Sequence, residues 1–298
     1  MLLSCTHVVV LACGLGLLLA FPTLANEPER ATTPYPTAHD RPLDATEAVK
    51  DESPDHTRYR VEFSGIAGGR VPAYLYIPKD AQPKHPGVLL QYGSGGNKNT
   101  NYIVLIARRF VRKGFVVLTI DSPGRGERKA EKRGVMDGKT LETLGDYSRA
   151  VDYLVTRNEV DPDRITYCGI SWGAITGLTF AAHDERIKVM VSLVGGGGFL
   201  GLVPGEVDEA TRKSVQQWDP VFHVAKLAPR PLLLLNVTKD QLVPRPLSDA
   251  LHKAAPEYAK RVWLETDHFF NGLDREEVAD DVGKFIEENL PKTGEPVR

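Results

Sequence analysis

Three side chains that together can activate an oxygen nucleophile stand far apart in the chain. Ser171 lies in Gly169-Ile170-Ser171-Trp172-Gly173, Asp240 in Val237-Thr238-Lys239-Asp240, and His268 in Thr266-Asp267-His268-Phe269. A serine hydroxyl attacks a carbonyl only when a base takes its proton, and a carboxylate that orients the imidazole makes histidine that base. The chemistry of such a set is transfer of an acyl group to serine, followed by hydrolysis of the acyl-enzyme. The glycines two before and two after Ser171 carry the steric half of the argument. A sharp strand-to-helix turn pushes the hydroxyl outward, and a side chain at either glycine would strike the adjoining strand or helix.

An oxyanion that develops on the attacked carbonyl needs fixed N–H donors. One is expected from Trp172, the residue after the nucleophile, and the second from the loop YGSGGNKN at 92–99, where we assign Ser94. Glycines there let the backbone approach a substrate closely. Aromatic residues that could line the substrate site are Tyr92, Trp172, Phe199, Trp218, Phe222 and Phe269.

Competing residues fit less well. His223 and His252 fall in or beside helical segments, and His183 ends the helix that Ser171 begins, so these read as surface or internally satisfied histidines. Asp267 neighbours His268, but adjacent side chains of an extended segment point opposite ways. Asp219 is the alternative acid, and Glu265 reads as structural.

The elements that must position these groups follow from hydrophobic periodicity. YRVEFSGI and RVPAYLYIP alternate and are joined by a glycine turn, which predicts an antiparallel hairpin. Beyond it, short apolar runs (PGVLLQY, FVVLTID, RITYCG, IKVMVSLV, PLLLLNV, KRVWLE) alternate with amphipathic segments, the strongest being TLETLGDYSRAVDYLVTR and REEVADDVGKFIEENL. That alternation predicts an α/β fold with a mostly parallel sheet covered by helices on both faces. In such a sheet, chemistry gathers at the carboxyl ends of the strands, where Ser171, Asp240 and His268 fall in the chain order expected of a nucleophile elbow.

The motifs GISWGA, VTKDQLVP, TDHFF and the upstream QYGSGG resemble the α/β-hydrolase superfamily, nearest to its dienelactone hydrolase and acetyl xylan esterase-like groups, with the prolyl oligopeptidase catalytic domain a cousin. The resemblance covers residues 60–290. It implies a mostly parallel sheet of about eight strands and cofactor-free hydrolysis. It also implies roles: Ser171 as nucleophile, His268 as base, Asp240 as acid, and Trp172 with Ser94 as oxyanion hole. The chain departs from these relatives in two ways. Dienelactone hydrolases use cysteine where this chain has Ser171. Prolyl oligopeptidases carry a propeller domain and an oxyanion-loop tyrosine that are absent here.

Other features narrow the function. The chain has 298 residues, a net charge of −2 and 42% hydrophobic content, which suits one large domain and argues against nucleic acid as a partner. GGGGFLG at 195–201, with Asp219 downstream, imitates a dinucleotide fingerprint, but Pro204 and Gly205 break the helix that should receive the pyrophosphate. GSGGNKNT lacks the Gly-Lys-Ser/Thr ending of a phosphate loop. No His-Glu-x-x-His spacing occurs, so no catalytic metal is expected, and the resemblance implies that no cofactor is needed. DSPGRGERK at 121–129 reads as a tight turn with its basic residues on a solvated face.

The N-terminal residues 1–25 carry the apolar run VVVLACGLGLLLAF and a small residue at Ala25, the pattern of a cleaved secretory signal peptide, with an uncleaved N-terminal anchor as the alternative and lipidation at Cys13 a weaker one. Cleavage removes Cys5 and Cys13 and leaves Cys168 without a disulfide partner. The expected organisation is therefore a signal peptide at 1–25, a flexible arm at 26–56 and a catalytic domain at 57–292. The product would be secreted or periplasmic, with no membrane attachment after cleavage. The expected substrate is a small-molecule or glycan ester with a short acyl group. A prolyl oligopeptidase-like peptidase and a thioesterase are the alternatives.

Overall fold

The structure, a computed structural model, describes residues 33–80, 82, 84–129, 139–203 and 205–293. The expected signal peptide lies outside the described residues. No helix among those described is long and apolar enough to cross a membrane.

Among the described residues nine strands form one sheet: β1 (Thr46–Glu52), β2 (His56–Ser64), β3 (Arg70–Pro78), β4 (His85–Gln91), β5 (Val116–Ile120), β6 (Val160–Ile170), β7 (Ile187–Leu193), β8 (Leu232–Val237) and β9 (Lys260–Leu264). Their order is β1-β2-β3-β5-β4-β6-β7-β8-β9. The predicted hairpin is β2 and β3, paired from His56 opposite Pro78 to Ser64 opposite Arg70. From β5 to β9 every pairing is parallel.

Six α-helices among the described residues return the chain: α1 (Asn101–Arg112), α2 (Lys139–Val155), α3 (Trp172–His183), α4 (Glu209–Gln216), α5 (Arg245–Ala254) and α6 (Arg275–Asn289). Apolar residues of α1 and α6, among them Phe110, Val282 and Phe285, pack on one face of the sheet. Those of α2, α3 and α5, among them Leu154, Phe180 and Leu251, pack on the other. Parallel strands covered on both faces need side chains that are apolar in both directions, and the β4, β5 and β8 positions are accordingly buried throughout.

Two expectations are corrected here. The arm at 26–56 is ordered through its described part. β1 pairs antiparallel with β2, so nine strands stand where about eight were implied. Tyr35 is buried and its hydroxyl donates to the Phe180 carbonyl at 3.1 Å. The buried Arg149 guanidinium donates to the carbonyls of Ala38, Arg41 and Pro42 at 2.7–2.9 Å, which ties this segment across α2. Periodicity could not reveal β1 because its residues are exposed on almost every side.

The second correction concerns the 121–129 turn. Arg128 does not face solvent: it is 5% exposed and pairs with the buried Asp146 at 2.6 Å and with Glu142 at 3.2 Å.

Candidate active site

Ser171 joins β6 to α3 with φ 55° and ψ −117°, a conformation that costs a non-glycine residue about 1–3 kcal/mol and persists only where its surroundings hold it. Here the Ser171 N–H donates to the Leu193 carbonyl at 2.8 Å, and its own carbonyl accepts from Ala174 and Ile175. A methyl group on Gly169 would lie 2.4 Å from the Gly173 carbonyl oxygen, and one on Gly173 would lie 2.6 Å from that of Tyr92. Both contacts are far inside van der Waals distance, so the turn admits only glycine at these two positions.

Asp240 follows β8 and His268 follows β9. His268 Nδ1 donates to the Asp240 carboxylate, 2.9 Å from Oδ1 and 2.8 Å from Oδ2, and the two side chains are only 7% and 4% exposed. A carboxylate only accepts, so Nδ1 carries the proton and Nε2 is left with a lone pair. Asp240 is itself fixed by the N–H groups of Leu242 at 2.9 Å and Val243 at 2.8 Å. Backbone bonds stitch the strand ends together: Val194 N–H to Leu235 O, Thr238 N–H to Leu264 O, and Lys239 N–H to Thr266 O. Of the four described non-glycine residues with positive φ, Ser171, Val194 and Phe270 sit beyond the carboxyl ends of β6, β7 and β9. Local strain is thus concentrated on the edge that carries the candidate groups.

The structure joins Asp240 to His268 directly, and places Ser171 on the same edge of the sheet two strands from Asp240. Ser171 Oγ makes no hydrogen bond to a described residue. In serine hydrolases without substrate the bond from the nucleophile to its base is often long.

The loop after β4 runs over the serine, for a methyl group on Gly93 would meet Ser171 Cβ at 3.0 Å and Oγ at 3.4 Å. The Gly93 N–H is already given to the Tyr102 hydroxyl at 2.9 Å. Ser94, the next residue, is exposed, and its N–H has no partner among the described residues. Trp172 opens α3, where the first N–H groups have no carbonyl within the helix to bond.

The aromatic candidates divide. Trp172, Phe199 and the buried Trp218 form one cluster, with ring centroids 5.6 Å apart for Trp172–Trp218 and 5.2 Å for Phe199–Trp218. Phe269 is 60% exposed and meets the His268 ring edge-on at 5.6 Å. Tyr92 belongs to the core instead. It is 5% exposed, its hydroxyl accepts from the Ser122 N–H at 2.8 Å, and it is no substrate wall. Phe222 is 45% exposed and makes no ring contact with the cluster among the described residues.

The competing acid and histidines have other partners. Asp219 is buried and accepts from the N–H groups of Gly198, Phe199 and Val221. Burial raises its pKa above the usual carboxylate value against the pull of those donors. Its carboxylate fills the seat that the glycine-rich 195–201 loop would offer a phosphate. His223 donates to the Gln216 carbonyl and accepts from His183, and His252 donates to Asn236 Oδ1. Burial lowers the pKa of both His183 and His252 to about 4. Asp267 caps the turn after His268 by accepting from Phe269 and Asn271, and Glu265 meets Lys239 at the surface. No group of His, Cys, Asp and Glu among the described residues could hold a metal ion.

Sequence reasoning missed Gly93, Tyr102 and Lys98 as parts of the site's frame. The glycines of the loop were a legible signal. The partners of Lys98, which lie elsewhere in the chain, were not.

The model of the dienelactone hydrolase family matches residues 71–282, from β3 into α6, a span that contains all three candidate groups. This chain belongs to the dienelactone hydrolase family. It is therefore a hydrolase of that esterase-rich group. The YtaP protein of Bacillus subtilis (strain 168) is 30% identical over 217 residues, which span 62% of this chain and 70% of that protein. The same fold occurs in an acetyl xylan esterase from Paenibacillus sp. R4, with a TM-score of 0.68 at 19% identity, covering 84% of this chain and 90% of the other. It occurs also in a cold-adapted esterase from an Arctic intertidal metagenomic library, with a TM-score of 0.64 at 20% identity, covering 83% and 100%.

Proposed function

We propose that this dienelactone hydrolase family member is a secreted or periplasmic serine esterase that removes short acyl groups, acetyl foremost, from small-molecule or glycan esters. The observation that carries the reading is the buried Asp240–His268 pair on the sheet edge where Ser171 is held in its strained turn. Ser171 Oγ attacks the ester carbonyl as His268 Nε2 takes its proton, and Asp240 stabilises the resulting imidazolium. The Trp172 and Ser94 N–H groups hold the oxyanion. The intermediate expels the alcohol, to which His268 returns the proton. Water then attacks the acyl-enzyme with His268 again as base, releasing the carboxylic acid and restoring Ser171.

The preference for short chains rests on the Trp172–Phe199–Trp218 cluster, which packs at the N-terminus of α3, where Trp172 directly follows Ser171. The likeness to an acetyl xylan esterase fold agrees with acetyl esters. The test is hydrolysis of p-nitrophenyl acetate, butyrate and octanoate. We expect kcat/KM to be highest for acetate and to fall with each lengthening. A preference for octanoate contradicts the short-acyl reading. Cleavage of peptide amides or acyl-thioesters with no ester cleavage contradicts the esterase reading and favours a peptidase or a thioesterase.

Export rests on the apolar run within residues 1–25. The exported protein is expected to begin at Asn26, as N-terminal sequencing would show. Met1 on the exported protein contradicts cleavage.

A further inference from the structure

We propose that Lys98 is a positioning residue for the oxyanion hole, fixing through a buried ion pair the loop that presents the Ser94 N–H. The inference rests on the esterase reading above. Lys98 is 3% exposed and Asp121, just beyond β5, is fully buried. The Lys98 ammonium meets Asp121 Oδ2 at 2.6 Å, while the Lys98 backbone N–H donates to Oδ1 of the same carboxylate at 3.0 Å. One carboxylate thus holds both the side chain and the main chain of one loop residue.

The clamp continues outward. The ammonium also meets Glu127 Oε1 at 2.6 Å, and Glu127 Oε2 meets Arg60 at 2.6 Å. The Glu127 N–H returns to Asp121 Oδ2 at 2.9 Å. That turn closes on the carboxylate only because residue 126 is glycine: its φ is +48°, and a methyl group there would lie 2.2 Å from Asp121 Oδ2. Beside Lys98, Thr100 Oγ1 accepts from the Asn97 N–H, and at the other end of the loop the Tyr102 hydroxyl accepts from the Gly93 N–H. Between these fixed ends lies Ser94, whose N–H has no partner among the described residues, next to Gly93, which has no room for a side chain beside Ser171.

A stability role alone is a poor account of this arrangement. Taking an ammonium and a carboxylate out of water carries a large desolvation cost, and well-packed apolar residues often serve stability as well or better. What a charge-assisted pair supplies is a fixed geometry. In an oxyanion hole, geometry is the commodity, because a donor displaced by about 1 Å can cost on the order of 10²-fold in rate. Lys98 is too buried to touch substrate, so its effect must pass through the backbone of the loop.

The experiment compares the full chain with Lys98→Met and Glu127→Gln, the latter at the exposed end of the network. Three quantities are read below the unfolding temperature: kcat and KM for p-nitrophenyl acetate, and the affinity for butylboronic acid, whose serine adduct places an oxygen in the oxyanion hole. We expect Lys98→Met to lower kcat by about 10- to 100-fold with KM within about twofold, and to weaken boronate binding by a similar factor. Glu127→Gln should move kcat and boronate affinity together by about 3- to 10-fold. A merely structural role would lower the melting temperature and leave both at wild-type values, and that result overturns the inference. If Lys98→Met does not fold, Glu127→Gln decides on the same two readouts. A wild type that neither cleaves the ester nor binds boronate overturns the esterase reading, and this inference with it.

Discussion

Ser171→Ala is expected to lower kcat for p-nitrophenyl acetate by on the order of 10⁶-fold, leaving only the catalysis that binding and the oxyanion donors supply. The size follows from the division of labour. Without Oγ no acyl-enzyme forms, and the Asp240–His268 pair has no hydroxyl to activate. The fold should be indifferent to the change. Ser171 Oγ makes no hydrogen bond to a described residue, and alanine inherits the same backbone bonds to Leu193, Ala174 and Ile175. The melting temperature should therefore stay within about 2 °C of wild type, as for a substitution that removes no buried contact. Activity assays and thermal melts on the same preparations separate the two effects. A variant that keeps more than about one per cent of the wild-type rate would place the nucleophile elsewhere.

The second large effect is expected at Asp240. Asp240→Asn should lower kcat by about 10⁴-fold, with little change in KM. The asparagine oxygen can still accept from the Leu242 and Val243 N–H groups, so the turn after β8 survives. Its amide nitrogen then replaces Oδ2, the nearer partner of His268 Nδ1, and a donor there favours Nδ1 as acceptor. The proton moves to Nε2, and the base is lost. Asp219→Asn is the control. Asp219 holds the Gly198, Phe199 and Val221 N–H groups and does not meet His268, so this variant should lose about 1–3 kcal/mol of stability at wild-type kcat. Steady-state kinetics and denaturant unfolding on both variants check the assignment. Full turnover in Asp240→Asn with none in a folded Asp219→Asn would exchange the roles of the two acids.

The legible parts of this protein were those set by local rules. Gly169 and Gly173 flank Ser171 because the turn has no room for a side chain, and that constraint is written within five residues. The parallel sheet was legible because strands covered on both faces are apolar throughout, as β8 is. Asp240 and His268 followed from chain order once the strands were placed.

The unread parts depend on partners distant in sequence. Lys98 and Arg128 look like solvated charges until Asp121 and Asp146 are brought beneath them. Tyr92 looks like a pocket wall until its hydroxyl is found on the Ser122 N–H. β1 escapes detection because an edge strand exposed on nearly every side shows no alternation. Arg149 holds the segment before β1 through backbone carbonyls, which no side-chain pattern reveals.

The central claim is that Ser171 is the nucleophile, and covalent trapping tests it most directly. The protein is incubated with an alkyl fluorophosphonate, and its intact mass and proteolytic peptides are measured beside residual esterase activity. The account predicts one phosphonyl group per chain, on the peptide that contains Ser171, with activity lost in proportion to labelling and no adduct on Ser171→Ala. Labelling at another residue that tracks the loss of activity, or full activity with Ser171 modified, would contradict it.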